Sequence, residues 1–307
     1  MTEAPQVDRQ LPLGEEIFLD HIGHFVRDPQ AAARALVRAG FAPTPLSVQT
    51  QPDPAGAPRL TGTGNVTAML SRGYVEVLFK TADTPLGSEL DAAMARHAGV
   101  HLVAFSVADA AGAHQRLSRN GFRTRPLVDM QRPVDAEGTL GTAAFTIARL
   151  EPGEMPEGRI QILTHRTEQM VWQPRWLSHP NGAVGLTSVV IAVGDLNEAG
   201  QRFERLTGRP ARASTLAQSF DLDRGSVELV TASTFAFICP QIPIPSLPFI
   251  GAYGIEVGSL ERAEGILKRG EIVTHRRGHW LSAAFPEELG RGAWIFSSSS
   301  DASGDPR

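Results

Sequence analysis

One pattern occurs four times along this chain, and it limits the fold more than any other feature. An apolar strand runs into Asp or Ser, then into residues with apolar positions at helical spacing, then into glycine. The copies are "LDHIGHFVRDPQAAARALVRAGF", "VHLVAFSVADAAGAHQRLSRNGF", "LTSVVIAVGDLNEAGQRFERLTG" and "AYGIEVGSLERAEGILKRG". Asp28, Asp109, Asp195 and Ser259 stand where a helix begins. A side-chain oxygen there accepts an N–H that the first turn leaves unpaired. Gly40, Gly121, Gly208 and Gly270 stand where the helices should stop, in the left-handed conformation glycine adopts freely.

Four closing strands also match: "GYVEVLF" from Gly73, "GRIQILT" from Gly158, "GSVELVT" from Gly225 and "GAWIFSS" from Gly292. Between opening and closing lie "NVTAMLS", "TAAFTIARL", "AQSFDLD" and "HWLSAAF", all strand-like. Each unit therefore reads β-α-β-β-β. One such sheet buries a single face, so units should pair, and four units make two pairs. The pattern predicts an α+β fold with one pair over residues 17–165, a linker over 166–184 and a second pair over 185–298. The linker carries Pro174, Pro180, Trp172 and Trp176, and is expected to pack on the surface. The Ser/Asp/Gly-rich tail over 299–307 is expected to be disordered.

Composition removes several function classes. The net charge of -4 comes with no cluster of Lys and Arg, which argues against nucleic acid. No apolar run is long enough to span a membrane. The start "MTEAPQVDRQLPLGEE" lacks the basic and apolar segments of a signal peptide, so a cytoplasmic location is expected. The single cysteine, Cys239, has no neighbouring base and reads as a buried structural thiol. "GTGNVTAML", with Asn65, contains neither a dinucleotide fingerprint nor a phosphate-loop lysine.

Four tandem β-α-β-β-β units, a His in the first strand and a Glu in "GYVEV" resemble the vicinal oxygen chelate superfamily, and within it the glyoxalase-like members. The resemblance covers roughly residues 17–298. It implies two half-barrel glyoxalase/dioxygenase-like domains, each closed by two units around one site. It also implies a divalent metal held by opening and closing strands. Carried over by position, the slots in the first pair are His21, seven residues before Asp28, and Glu76, then Gln161. The remaining slot falls on Leu102 by the same count, with His101 one residue away. A one-residue slip turns a strand side chain to the other face, and a β-bulge would turn it back. The second pair offers Ser188, Glu228, Ala252 and Ile295, so it is expected to be metal-free, and iron-dependent ring cleavage is disfavoured.

A site of His21, Glu76, His101 and Gln161 would suit zinc, manganese, nickel or iron. A metal there would polarise neighbouring substrate oxygens, with Glu76 as the catalytic base. The expected function is a metal-assisted lyase or isomerase acting on a small oxygenated, carboxylate-bearing molecule. The alternative is a metal-free protein that sequesters a small ligand, with His21 an ordinary pocket or core histidine. Strand alternation turns His24 away from His21, toward solvent or a helix. Arg149 or Arg159 would anchor an acidic substrate, although a solvated rim is the commoner use of such charges and is favoured here. Arg132 falls in what reads as an inter-strand loop that would cover the pocket mouth. In "THRRGHW", His275 and His279 have a helical spacing in strand-like surroundings, and read as a patch between domains. A homodimer is allowed but not required, since sheets pair within the chain.

Overall fold

The structure is a computed structural model that describes residues 8–53 and 55–298; the expected tail lies outside them. All four units form in the expected order. The first contains β1 (Ile17–Phe25), α1 (Pro29–Arg38), β2 (Ser47–Pro52), β3 (Pro58–Met69) and β4 (Tyr74–Lys80). A connecting helix, α2 (Pro85–Arg96), leads to the second: β5 (Gly99–Val107), α3 (Ala110–Arg119), β6 (Val128–Ala136), β7 (Thr139–Arg149) and β8 (Arg159–His165). The linker holds a short α-helix, α4 (Glu168–Val171), and a 3-10 turn over Pro174–Trp176. The third unit runs β9 (Ala183–Ala192), α5 (Leu196–Thr207), β10 (Arg212–Ala213), β11 (Ala217–Asp221) and β12 (Ser226–Val230). After α6 (Ala232–Ile238), the fourth runs β13 (Phe249–Val257), α7 (Leu260–Arg269), β14 (Thr274–Arg277), β15 (Trp280–Ala284) and β16 (Ala293–Ser298).

The caps form as the residue types require. Asp28 accepts from the amides of Gln30 and Ala31, Asp109 from Ala111, Asp195 from Asn197 and Glu198, and Ser259 from Arg262. Gly40, Gly121 and Gly208 take the expected left-handed conformation, at φ of 80°, 85° and 70°. The fourth stop differs. Gly270 has φ -79°, and the left-handed residue is Glu271 at 57°. Gly270 is needed for a different reason: a Cβ there would lie 2.4 Å from the carbonyl oxygen of Arg38, at the end of α1.

The two halves treat the same sheet differently. In the N-terminal half the order β1-β4-β3-β2-β6-β7-β8-β5 closes into a barrel. The closure between β2 and β6 is thin: one backbone pair, Thr50 with Gln131, and the Ser47 and Thr50 hydroxyls donating to carbonyls of Pro133 and Gln131. In the C-terminal half the order β10-β11-β12-β9-β13-β16-β15-β14 stays open. Its concave face is filled by α6, whose Phe235, with Cys239 just beyond, packs against Val190, Phe249, Ala252 and Ala293. Burial pushes the Cys239 thiol up to about 12, as expected of a structural cysteine.

One hydrophobic core runs through both halves, from Ile17 and Val103 to Tyr253 and Phe296. Three isolated strand bridges cross between them, Phe18–Arg224, Arg72–Gly185 and Gly99–Arg291, and so does a buried ion pair of Glu157 with Arg202. His24 belongs to this interface. It does face away from His21, and not toward solvent: its ring nitrogens meet the Leu289 carbonyl, at the end of a short 3-10 helix (Glu287–Leu289), and the Tyr253 hydroxyl, both at 2.9 Å. The linker is also more deeply placed than expected. Trp172 is 3% exposed and donates its indole N–H to the Leu70 carbonyl. His275 and His279 lie instead on the exposed β14–β15 hairpin, away from the interface. No helix of the described residues is long and apolar enough to cross a membrane.

Candidate active site

The site is built around an irregularity in β1. Opposite β5, Leu19 pairs with Phe105 and His21 with Ala104, so Asp20 is an extra residue. Such a bulge breaks the alternation and re-aims neighbouring side chains. It brings Asp20 beside His21: Asp20 Oδ1 lies 2.7 Å from His21 Nδ1, and Oδ2 lies 2.8 Å from His165 Nε2 on β8. Burial opposes charge on Asp20, but attraction and hydrogen bonds from His165 and His21 outweigh it and hold the carboxyl well below its usual range. The ionised carboxylate accepts from both rings. His21 is thereby fixed with Nδ1 as donor, and its Nε2 is turned toward Glu76 Oε2, 3.6 Å away. The Tyr74 ring stacks on His21 at 4.4 Å.

Glu76 projects from β4, which runs parallel to β1. Asn65 on β3 donates to Glu76 Oε1 at 2.6 Å, and Gln49 on β2 reaches the same oxygen at 3.4 Å. Gln161 on β8 enters the cavity with its Oε1 buried and without a partner.

His21, Gln49, Asn65, Tyr74, Glu76 and Gln161 line a cavity of about 50 Å³ inside the barrel. Three arginines share it. Arg132 lies within β6, not in a loop; Met130, Arg132 and Val134 alternate inward. It is 8% exposed and faces Tyr74 and Glu76 without a carboxylate bonded to it. Arg149, at the end of β7, has a buried Nε with no partner, while its Nη2 contacts the Met130 sulfur at 3.1 Å. Burial, together with the neighbouring charge of Arg159, lowers Arg149 to about 10. Arg159 is held by Glu89 of α2 at 3.0 Å. These arginines are not the solvated rim the residue types suggested. That rim exists nearby, in the Glu151–Arg125 and Glu154–Arg123 pairs.

The structure brings His21, Glu76 and Gln161 together and leaves His101 out. A second irregularity pairs Gly23 with Leu102 and His24 with Val100, making His101 the extra residue of β5. The bulge therefore exists, but it turns His101 away from the cavity. His101 Nε2 bonds the His97 carbonyl at 2.7 Å, and Leu102 takes the cavity position. Leu102 also covers Gly23, where a Cβ would lie 2.9 Å from the Leu102 Cβ.

This donor set does not fit a resident divalent metal. His21 and Glu76 are suitably spaced, and Asp20 orients His21 as an outer-shell carboxylate would. However, Leu102 replaces the fourth donor, Asp20 is committed to two histidines, and three guanidinium groups share the cavity with one glutamate. Among the described residues, no group of three or more His, Cys, Asp or Glu is assembled that could hold a metal ion. In the C-terminal half, Ser188, Glu228, Ala252 and Ile295 line no comparable site. Glu228 accepts from the Ser219 and Ser226 hydroxyls, and Ala252 and Ile295 are packed against the core around Phe235.

A family model described as a glyoxalase-like domain matches residues 19–207, which crosses the linker and ends with α5. No curated protein matches the chain. Among solved structures, a hypothetical protein from Staphylococcus aureus aligns at a TM-score of 0.63 and 9% identity, covering 92% of this chain and 99% of that one. A triple mutant of 4-hydroxymandelate synthase from Streptomyces coelicolor aligns at 0.55 and 15% identity, covering 94% of each chain. The Mn(II)-bound glyoxalase from Novosphingobium aromaticivorans aligns at 0.53 and 12% identity, covering 92% of this chain and 82% of that one. At these identities the alignments carry the fold alone, and they agree with two paired glyoxalase/dioxygenase-like halves.

Proposed function

Because this chain belongs to the glyoxalase-like domain family, we propose that its N-terminal barrel binds a small oxygenated carboxylate and moves a proton on it. The reaction would be of the isomerase or lyase type. The observation that carries the reading is Arg132, a buried guanidinium with no carboxylate bonded to it, directed at the cavity that holds His21 and Glu76. A buried unpaired cation is costly, and an anionic ligand would relieve that cost. Arg149 adds a second such charge.

The chemistry follows from the groups in place. The substrate carboxylate sits against Arg132 and Arg149. Glu76 takes a proton from the carbon beside the carbonyl; the C–H electrons move onto the carbonyl oxygen, and a guanidinium stabilises that developing charge. Where the deprotonated carbon carries a hydroxyl, that O–H proton passes to the enolate oxygen and Glu76 returns its proton to the former carbonyl carbon, so the carbonyl and the hydroxyl exchange places. Asn65 and Gln49 hold the Glu76 carboxylate in place, and Asp20 holds His21 with Nε2 toward the reacting region. Arginine here serves as the electrophile that a metal would supply in a four-donor site.

A second reading, binding without turnover, is favoured by Leu102 at the fourth donor position. One experiment separates the two. Small 2-oxo acids are incubated with the protein in D₂O and α-proton exchange is followed by NMR. Exchange that disappears in Glu76→Gln, with binding retained, supports the enzyme; binding without exchange supports the sequestering protein. Near-stoichiometric metal in protein purified without chelators or a histidine tag, lost in a His21→Ala, Glu76→Ala double variant, would overturn the metal-independent form of the proposal.

A further inference from the structure

The barrel cavity is too small to hold a whole substrate of ordinary size. Its 50 Å³ takes about three or four waters, enough for a carboxylate and the carbons next to it. A groove of about 700 Å³ lies beside it, between α2, the 150–158 loop and the 246–248 segment of the C-terminal half. Ligand pockets commonly fall in that size range. The cavity and the groove share two residues, Arg149 and Arg159, which therefore form the wall between them. Beyond that wall the groove is mainly apolar, with Phe25, Ala93, Met155, Ile160 and Leu247 along it. The Arg159 guanidinium lies over the Phe25 ring at 5.2 Å, so the change from charged to apolar lining happens over a few ångströms.

From this arrangement we infer that the substrate is amphipathic: a carboxylate head in the barrel cavity and an apolar tail of several carbons in the groove between the halves. The inference rests on the carboxylate reading above and adds the tail to it. It also gives the C-terminal half a part in the site, since Leu247 and Pro248 would cover the tail. Only the side chains of Arg149 and Arg159 separate the groove from the cavity, so the ligand would pass between them, and their positive charge sets the orientation, head inward. Arg159 stays paired with Glu89, so the head is bound chiefly by Arg132 and Arg149.

Binding of straight-chain carboxylates from acetate to decanoate to the full chain, measured by titration calorimetry, tests this. Affinity should rise by about fourfold for each added methylene that enters the groove, as burial of a CH₂ group predicts. In Ala92→Trp, which fills the groove from an exposed position on α2, and in Leu247→Asp, which places a charge there, the long-to-short ratio should collapse toward one. A chain-length dependence lost in both variants supports the inference. Equal affinity for acetate and decanoate, or a dependence that survives both substitutions, overturns it while leaving the carboxylate site intact. If no chain length binds, both the tail and the carboxylate site are wrong.

Discussion

Arg132 and Arg149 sit in the barrel with their charges unanswered by any carboxylate bonded to them. A side chain kept for stability would not be left in that state, which gives a test with two opposite signs. Arg132→Met should weaken carboxylate binding about 10- to 100-fold, the worth of a charge-assisted hydrogen bond. The same substitution should leave the thermal midpoint unchanged or raise it, because a desolvated charge is replaced by an apolar group of similar length. A lower midpoint together with unchanged binding would make Arg132 a structural residue. Arg132→Lys should not restore binding, since a point charge cannot reproduce a fork of two donors. At this scale the sequence was partly legible. His21 and Glu76 could be found by counting along matched units. Asp20 could not, because the bulge that brings it beside His21 breaks the alternation from which faces are read. Asn65 was hidden in a glycine-rich stretch read only for nucleotide motifs. Arg132 was hidden by Pro133, which suggests a loop although β6 runs through it.

At the scale of the element, the caps were the most legible feature, because a cap depends on one side chain and the amides two or three residues on. The helix stops were legible for three units and misread for the fourth, since "KRGE" places its glycine one position early relative to "RAGF" and "RNGF". The left-handed position therefore falls on Glu271, which is exposed and gains nothing visible from the conformation. Glu271→Gly should stabilise the protein by about 0.5–1 kcal/mol, the relief of a left-handed non-glycine residue less the added freedom of the unfolded chain. Gly270→Ala should destabilise it by about 1–3 kcal/mol, because the new methyl meets the Arg38 carbonyl and α1 or α7 must shift. Urea midpoints of the two variants check both signs. Equal effects from the two substitutions would mean that the end of α7 yields freely and that its contact with α1 is loose. The strand irregularity at His101 belongs to this scale too: the sequence could suggest that a bulge was needed, but not which way it would turn the imidazole.

At the scale of the whole molecule, the four-unit architecture could be read from the repeat, whereas the shared core could not, because periodicity marks which face of an element is apolar without saying what covers it. His24 shows the consequence. Its apolar neighbours in "HIGHFV" belong to β1, yet its ring is enclosed by residues more than two hundred positions away: the Leu289 carbonyl, the Tyr253 hydroxyl and the edge of Phe285. Burial, with a smaller contribution from the charge of His101, lowers His24 to about 4, against the hydrogen bond to Leu289, which acts to raise it. A histidine whose folded pKa is depressed contributes stability that is complete above its unfolded value near 6.5. That stability is lost as pH falls from there toward 4, because the unfolded chain takes up the proton first. At pH 5 the loss from this one residue is on the order of 2 kcal/mol. The interface between the halves should therefore loosen on mild acidification, well before the paired carboxylates are protonated. His24→Gln keeps a polar side chain in the same place but cannot titrate in this range. Its thermal midpoint should be lower than that of the parent at pH 7.5, and should fall less between pH 7.5 and pH 5. If the parent and His24→Gln lose the same amount over that interval, the acid sensitivity arises elsewhere, and the next residues to substitute are His101, which lines the groove, and His97, whose ring lies 4.2 Å from that of His101; burial also keeps both neutral.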